Sequence, residues 1–596
     1  MRWPLIGLLC LSLVACDDGE PSGSQLSPDL SLSADGAPPA PDGAPADQGS
    51  APEDCGCADQ AVPPDQAVAP DQAPPDGGPA PDQGPVDPCA LVDEPAVHAV
   101  ALPLGETLFF EGDDYLVPFD DGFDCPITVE GPGGAAATPI DGRLTPDVAG
   151  PWVLRRGGVR VELDVQADFL NADTFVNYNY TPATALAPLG ADELLVVAPP
   201  SNALQRVRLT GEGAEAGALI PTGGWPTGVA VWGEQALVTQ TARDSLGFVD
   251  LANDRVVDAV RVGDEPAGIV VAGDTAFVTL SGEDKVARVD LPSKTVTGTL
   301  PTGRDPRALA LSPDGATLYV LSLNSSNTHR FGPSVEAETE ALFRQDLTVI
   351  DVAGWTVREV VPDLGTILRG LWAAPDGRVV VGVSHSRNQV RAVDAEADPH
   401  RHALAVVTWD ADGAAQVRRV NLDRELPAPS PFSLVPSPDG SLLGVTLSAG
   451  KAILWLDPES FAEVGRSLTG NDPRGLVFAQ GRAWTTAWLD NRVEGHVWPP
   501  QLGAQPVIVP IGRDPTPPDV KAGQRIFNDA TFSRYGKFSC NNCHIDGLTD
   551  GLVWDLLVDG EVNTLAFRNV AGTDPFLWGG QLPTLFDFSR EVLRLV

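Results

Sequence analysis

A forty-residue repeat constrains this chain more than any other feature. PTGVAVWGEQALVTQ begins at Pro226, PAGIVVAGDTAFVTL at Pro266 and PRALALSPDGATLYVL at Pro306. Each copy runs on through a strand ending near Val-Asp (FVDL, RVDL, TVID) to one ending near Val-Gly or Thr-Gly (VRVGDEP, TLPTGRDP). Apolar and polar residues alternate in ALVTQ, AFVTL and TLYVLSL, the period of a half-buried strand. Fainter copies start at Pro182, Leu368, Pro431 and Pro473. A unit this short cannot bury its apolar faces alone and must stack on its neighbours. Seven starts, each heading about four short strands, predict a mainly β chain with a seven-bladed β-propeller over residues 168–513. The terminal copies are weakest, so six or eight blades stay open, with closure borrowing a strand near residues 174–176.

The closest repeat, SPDGATLYVLSL, resembles the YVTN-type propeller family. Two repeats carry insertions, NSSNTHRFGPSVEAETEALFRQ (324–345) and HSRNQVRAVDAEADPHRH (385–402). Both fall between the second and third strands of adjacent repeats and should emerge on one face. They hold four of the seven histidines, His329, His385, His400 and His402. Either that face is a docking or ligand surface or these are two variable loops.

The chain begins MRWPLIGLLCLSLVACDD. One arginine followed by a short apolar run reads as a signal peptide over residues 1–15, too short to span a bilayer. Leu13-Val14-Ala15-Cys16 resembles the bacterial lipobox. The resemblance implies cleavage before Cys16, a lipid anchor on that residue and a place in the bacterial cell envelope, periplasmic or at the cell surface. Residues 16–88 repeat Pro-Asp-Gln at Pro64, Pro70 and Pro81 and contain almost no aromatic or branched side chains. Such a segment cannot offset its ordering entropy and reads as a disordered tether. Residues 89–167 hold short strand-like runs between turn residues and predict a small, Ig-like β-sandwich. In an oxidising compartment Cys89 and Cys125 could form its disulfide. The formal charge of −42 argues against nucleic-acid binding, which rests on Lys and Arg neutralising phosphate.

Residues 538–551 read FSCNNCHIDGLTDG, in which Cys540, Cys543 and His544 form a C-x-x-C-H. That spacing predicts one covalent haem c, two thioethers from the cysteines and an axial iron ligand from His544. A redox-active cysteine pair is the alternative, but it would want a βαβ setting that is not visible here. Of eight cysteines, Cys10 lies in the signal peptide and Cys55 and Cys57 in the tether, leaving none for a four-cysteine zinc site. The single methionine is Met1, which removes methionine as a sixth ligand.

The run GQRIFND, GKFSCNNCHIDGLTDG, NTLAFRNVAG and FLWGGQLPTLFDF resembles the N-terminal haem half of bacterial dihaem cytochrome c peroxidases and MauG-like enzymes. The resemblance implies a mostly α cytochrome c-type domain over 514–596, and an incomplete one, because no second C-x-x-C-H follows. It places Trp578 where the family has an electron-transfer tryptophan, although Trp578-Gly579-Gly580-Gln581 departs from the family's Trp-Asp-Gly-Arg. The sixth position would be open, water-bound, an oxygen ligand or one of His329, His385, His400 and His402. The functions implied are electron transfer or peroxidase-like chemistry with a redox partner protein. A lipid-anchored binding scaffold with a vestigial haem domain is the alternative.

Overall fold

The computed structural model describes residues 98–110, 125–157, 159–170, 182–211, 213–324, 345–388, 399–423, 426–501, 503–556, 560–567, 570, 573–576 and 579–587. Cys16, the tether, Cys89, His329, residues 174–176 and Trp578 lie outside them.

Seven four-stranded antiparallel sheets follow one another along 186–221, 226–261, 266–301, 306–361, 367–421, 431–468 and 473–510, called blades 1 to 7 below. In every blade the strands lie in chain order, and the first strands of successive blades pack side by side. The first strand of blade 7 in turn meets that of blade 1, which closes the ring. This is the arrangement of a β-propeller, and each blade is built from its own four strands. The sequence starts at Pro226, Pro266, Pro306, Pro431 and Pro473 coincide with the first residues of first strands.

Close packing around the axis explains the recurring Pro-x-Gly. A Cβ on Gly228 would sit 2.4 Å from the Ala267 carbonyl oxygen of the next blade. At Gly268 the same atom would meet the Arg307 carbonyl oxygen at 2.2 Å. No side chain fits between backbones that near. Further out, the blades bury Phe248, Phe277, Trp455 and Trp484 completely, each contributing on the order of 1.5–3 kcal/mol by removal from water.

Ahead of the ring, a five-stranded sheet and a two-stranded ladder, Leu108–Phe109 with Arg143–Leu144, enclose Leu102, Leu108, Trp152, Leu154 and Leu163. Its first strand pairs in parallel with Val159–Gln166. Cys125 is disulfide-bonded. Glu106 and Arg243 of blade 2 form a buried ion pair at 2.6 Å.

The expected mostly α domain after residue 513 is not what forms. Its described residues contain an α-helix, α1 (Pro518–Asn528), three single 3-10 turns, a hairpin of Val553–Leu556 with Gly560–Asn563 and three further helical residues at 585–587. The local sequence explains this. Gly536, Asp546, Gly547 and Gly551 adopt positive φ, a conformation that ends a helix. The backbone finds partners on the propeller instead: Ala530 N–H donates to the Ala449 carbonyl at 3.0 Å, and the Val553 carbonyl accepts from Asn388 Nδ2 at 3.1 Å. The segment is an irregular strap across the ring.

Candidate functional site

Cys540, Cys543 and His544 sit on one tight turn of that strap. Cys543 N–H and His544 N–H both donate to the Cys540 carbonyl, at 3.2 and 2.9 Å. The two residues between the cysteines are anchors. Asn542 is fully buried, accepts the Ser539 N–H at 2.9 Å and donates Nδ2–H to Ser430 Oγ of the ring at 3.0 Å. Asn541 Oδ1 accepts the Asp546 N–H at 2.6 Å.

His544 Nδ1 lies 2.7 Å from the Leu565 carbonyl oxygen. A carbonyl only accepts, so Nδ1 carries the proton and Nε2 keeps a lone pair. The Phe567 ring stands edge-on at 4.1 Å. Burial pushes His544 down to about 4 against the pull of hydrogen bonds to the Leu565 and Leu548 backbone, so the imidazole is neutral at pH 7. Cys540 is exposed and Cys543 half-buried, and they are not joined in a disulfide. Burial, helped by Asp550, holds the Cys543 thiol well above its ordinary range. A thiol raised in this way is a poor thiolate nucleophile.

Blade 5 meets the turn from the ring side. The two ends of the second insertion extend a hairpin: Val379–Ser386 pairs with His400–Trp409, with Ser384 opposite His402 and Ser386 opposite His400. His385 falls on the alternate face and is exposed. His400 and His402 are completely buried. His402 Nδ1 accepts the Ser430 N–H at 3.2 Å, so its Nε2–H donates to the Lys537 carbonyl at 2.5 Å. His402 is therefore occupied in docking the strap. His400 Nε2 lies 3.3 Å from Cys543 Sγ, and its Nδ1 lies 3.3 Å from Ser386 Oγ. Phe538 and Trp554 flank its ring at 6.0 and 5.7 Å. Trp554 is held by Nε1–H donation to buried Asp550 at 3.0 Å.

Two residues beyond His544, the strap enters the propeller mouth. Asp546, at φ 50°, reaches Arg307 Nη1 at 2.5 Å and Arg474 Nη2 at 3.6 Å. Arg369 completes a collar of three arginines from the first strands of blades 4, 5 and 7, around a small cavity that Ile545 also lines. Asp305 and Asp472 pair with Arg307 and Arg474 at 2.7 and 3.0 Å. Burial opposes ionisation of Asp546, but Arg307, Arg474 and Arg369 outweigh it and hold the carboxyl below its usual range. Burial pulls Arg369 down to about 10.

No known family profile matches the chain. A stretch of 73 residues is 38% identical to hydrazine synthase subunit gamma of Kuenenia stuttgartiensis, covering 11% of this chain and 21% of that protein. The chain thus spans about a fifth of the length of that relative. Among solved structures it is similar to a Kuenenia stuttgartiensis hydrazine synthase chain, at 19% identity and TM-score 0.45, over 52% of this chain and 93% of that one. It is also similar to a functionally unknown protein from Desulfotomaculum acetoxidans, at 14% identity and TM-score 0.34, over 46% of this chain and 78% of that one.

Of the residues predicted from sequence, Cys540, Cys543 and His544 come together with His400 and His402, while His385 points away. The arginine collar, Asp546, Asn541, Asn542, Asp550 and Trp554 were not anticipated. One signal was available: Asp-Pro-Arg occurs at 305–307 and again at 472–474, at equivalent blade positions. Among the described residues, no group of three or more His, Cys, Asp and Glu has the geometry to hold a metal ion.

Proposed function

We propose that this chain carries one haem c, bound through Cys540 and Cys543 with His544 on the iron, and works in electron transfer or peroxidase-like redox chemistry. The observation that supports this reading best is the His544–Leu565 hydrogen bond. A metal-bound histidine commonly donates its second ring N–H to a carbonyl or carboxylate, which fixes tautomer and orientation. His544 has that arrangement, with Nε2 left as the donor atom. When bound, the haem supplies one-electron iron chemistry. The chain's residues do the rest. The Asn542 and Asp546 anchors fix the turn on the ring, and Phe538, Trp554 and Phe567 provide apolar walls that limit water.

The likeness of one stretch to a hydrazine synthase subunit is in keeping with a redox role and with a protein partner. Export and a lipid anchor at Cys16 complete the reading and would place the protein in the cell envelope. The propeller then acts as the docking platform for the haem segment.

The test is a pyridine haemochrome assay with intact-mass measurement on the exported protein. The expected result is one covalent haem per chain, lost in the Cys540→Ala, Cys543→Ala double variant. A chain that emerges from a haem-attaching host with unmodified cysteines would overturn the proposal.

A further inference from the structure

His400 belongs to blade 5, yet its imidazole touches the second cysteine of the motif. We propose that His400 is a positioning residue that donates its Nε2–H to the Cys543 sulfur once that sulfur is a thioether, linking the propeller directly to the haem edge. The inference rests on the haem reading above.

The argument is a count of protons. His400 is fully buried and neutral, so it has one N–H to share between two partners at 3.3 Å, Cys543 Sγ and Ser386 Oγ. While Cys543 is a thiol, two arrangements satisfy everything. The S–H can donate to Nε2 while Nδ1–H donates to Ser386, or both directions can reverse. Attachment removes that choice. The sulfur forms a bond to one vinyl carbon, the vinyl double bond is consumed, and the thiol hydrogen ends on the neighbouring carbon. The step needs no oxidant, and it leaves a sulfur that can only accept. Nε2 must then carry the proton, because the other tautomer would face two lone pairs across a dry 3.3 Å contact.

The rest of the chain follows. With Nδ1 bare, Ser386 Oγ–H turns towards it, and the Thr366 hydroxyl, 2.9 Å from both the Ser386 oxygen and the Ser384 carbonyl, has two acceptors for its one proton. Thr366 Oγ1 is itself fixed by the Ser386 N–H at 2.7 Å. A directed series, Ser386 to His400 to Cys543, therefore runs from the ring to the cofactor. The positive end of an N–H dipole at the haem edge favours the reduced, less positive state, as hydrogen bonding around a redox centre commonly does. His400 thus raises the haem potential without touching the iron.

The experiment compares full-length wild-type protein with His400→Phe, His400→Gln and Ser386→Ala. Haem content, optical and paramagnetic-resonance spin state, and reduction midpoint are recorded for each. The expected result is unchanged haem content and spin state throughout. The midpoint should fall in H400F, recover in H400Q, whose amide N–H can replace the donor, and lie between in S386A. An unchanged midpoint in H400F, or in S386A should H400F fail to fold, overturns the proposal while leaving the haem reading intact. A changed spin state in H400F also overturns it, by making His400 an iron ligand. Absence of haem from the wild type removes the haem reading and this inference together.

Discussion

Asp546 and Arg307 are 239 positions apart in the chain and meet at 2.5 Å inside the propeller mouth. The pair joins the C-terminal strap to the ring axis, two residues from the proposed iron ligand. Both side chains are largely shielded from water, with Asp546 only 5% exposed. Removing Asp546 leaves Arg307 to Asp305 alone and takes the shared negative charge from among three arginines in a poorly solvated site, a change that costs up to about 3 kcal/mol. Asp546→Ala should therefore lower the denaturant midpoint of the strap transition and make 514–556 sensitive to limited proteolysis while the ring stays resistant. An unchanged midpoint and digestion pattern would show that the pair does not hold the strap.

The same carboxyl sets an acid limit. Its folded-state pKa is depressed by the arginines despite burial. The stability it contributes is thus fully present above its unfolded value near 3.9 and lost as pH falls through the folded value. Thermal midpoints measured from pH 5 to pH 2.5 should fall steeply in the wild type and less steeply in Asp546→Asn.

His400 acts in a higher window. Burial chiefly holds it well below its ordinary value of 6.5. As pH drops below 6.5, the unfolded chain takes up a proton that the folded chain refuses, so stability is lost by about 1.4 kcal/mol per pH unit. His400→Gln removes that contribution. The variant's stability between pH 6.5 and 5 should be flatter than the wild type's by about that slope, as read by denaturant titration at half-unit intervals.

Trp554 fills the space beside His400 and satisfies a buried carboxylate. Trp554→Phe keeps the ring but deprives Asp550 of an N–H donor, at a cost of about 1–3 kcal/mol. The expected outcome is a destabilised protein with normal haem content. A stability equal to wild type would mean that Asp550 finds another donor.

His544→Gly separates attachment from ligation. Both cysteines remain, so covalent haem should persist, while the optical spectrum changes because the axial nitrogen is gone. Added imidazole should restore the wild-type spectrum by occupying the vacated space. Failure of imidazole to alter the spectrum would count against His544 as the ligand.

The architecture of the ring was written locally. Period-2 alternation, a proline at the head of the inner strand and Gly turns recur from blade to blade, because each blade solves the same packing problem against its neighbours. The C-x-x-C-H was equally plain, since it lies within five consecutive residues. The region around it was misjudged. Resemblance suggested a mostly α domain, but the positive-φ residues from Gly536 to Gly551 and the partners offered by Ala449, Ser430 and Asn388 draw the backbone onto the ring as a strap.

The sequence by itself determined the repeat, the places where the blades begin and the identity of the motif, because each depends on residues close together in the chain. Tertiary structure alone decided what surrounds the motif. The contacts of His400 with Cys543 and of Asp546 with Arg307 span 143 and 239 positions. No local pattern encodes such a pair. It forms when a closed ring fixes where blades 4 and 5 present their side chains and a short turn delivers the strap to the axis.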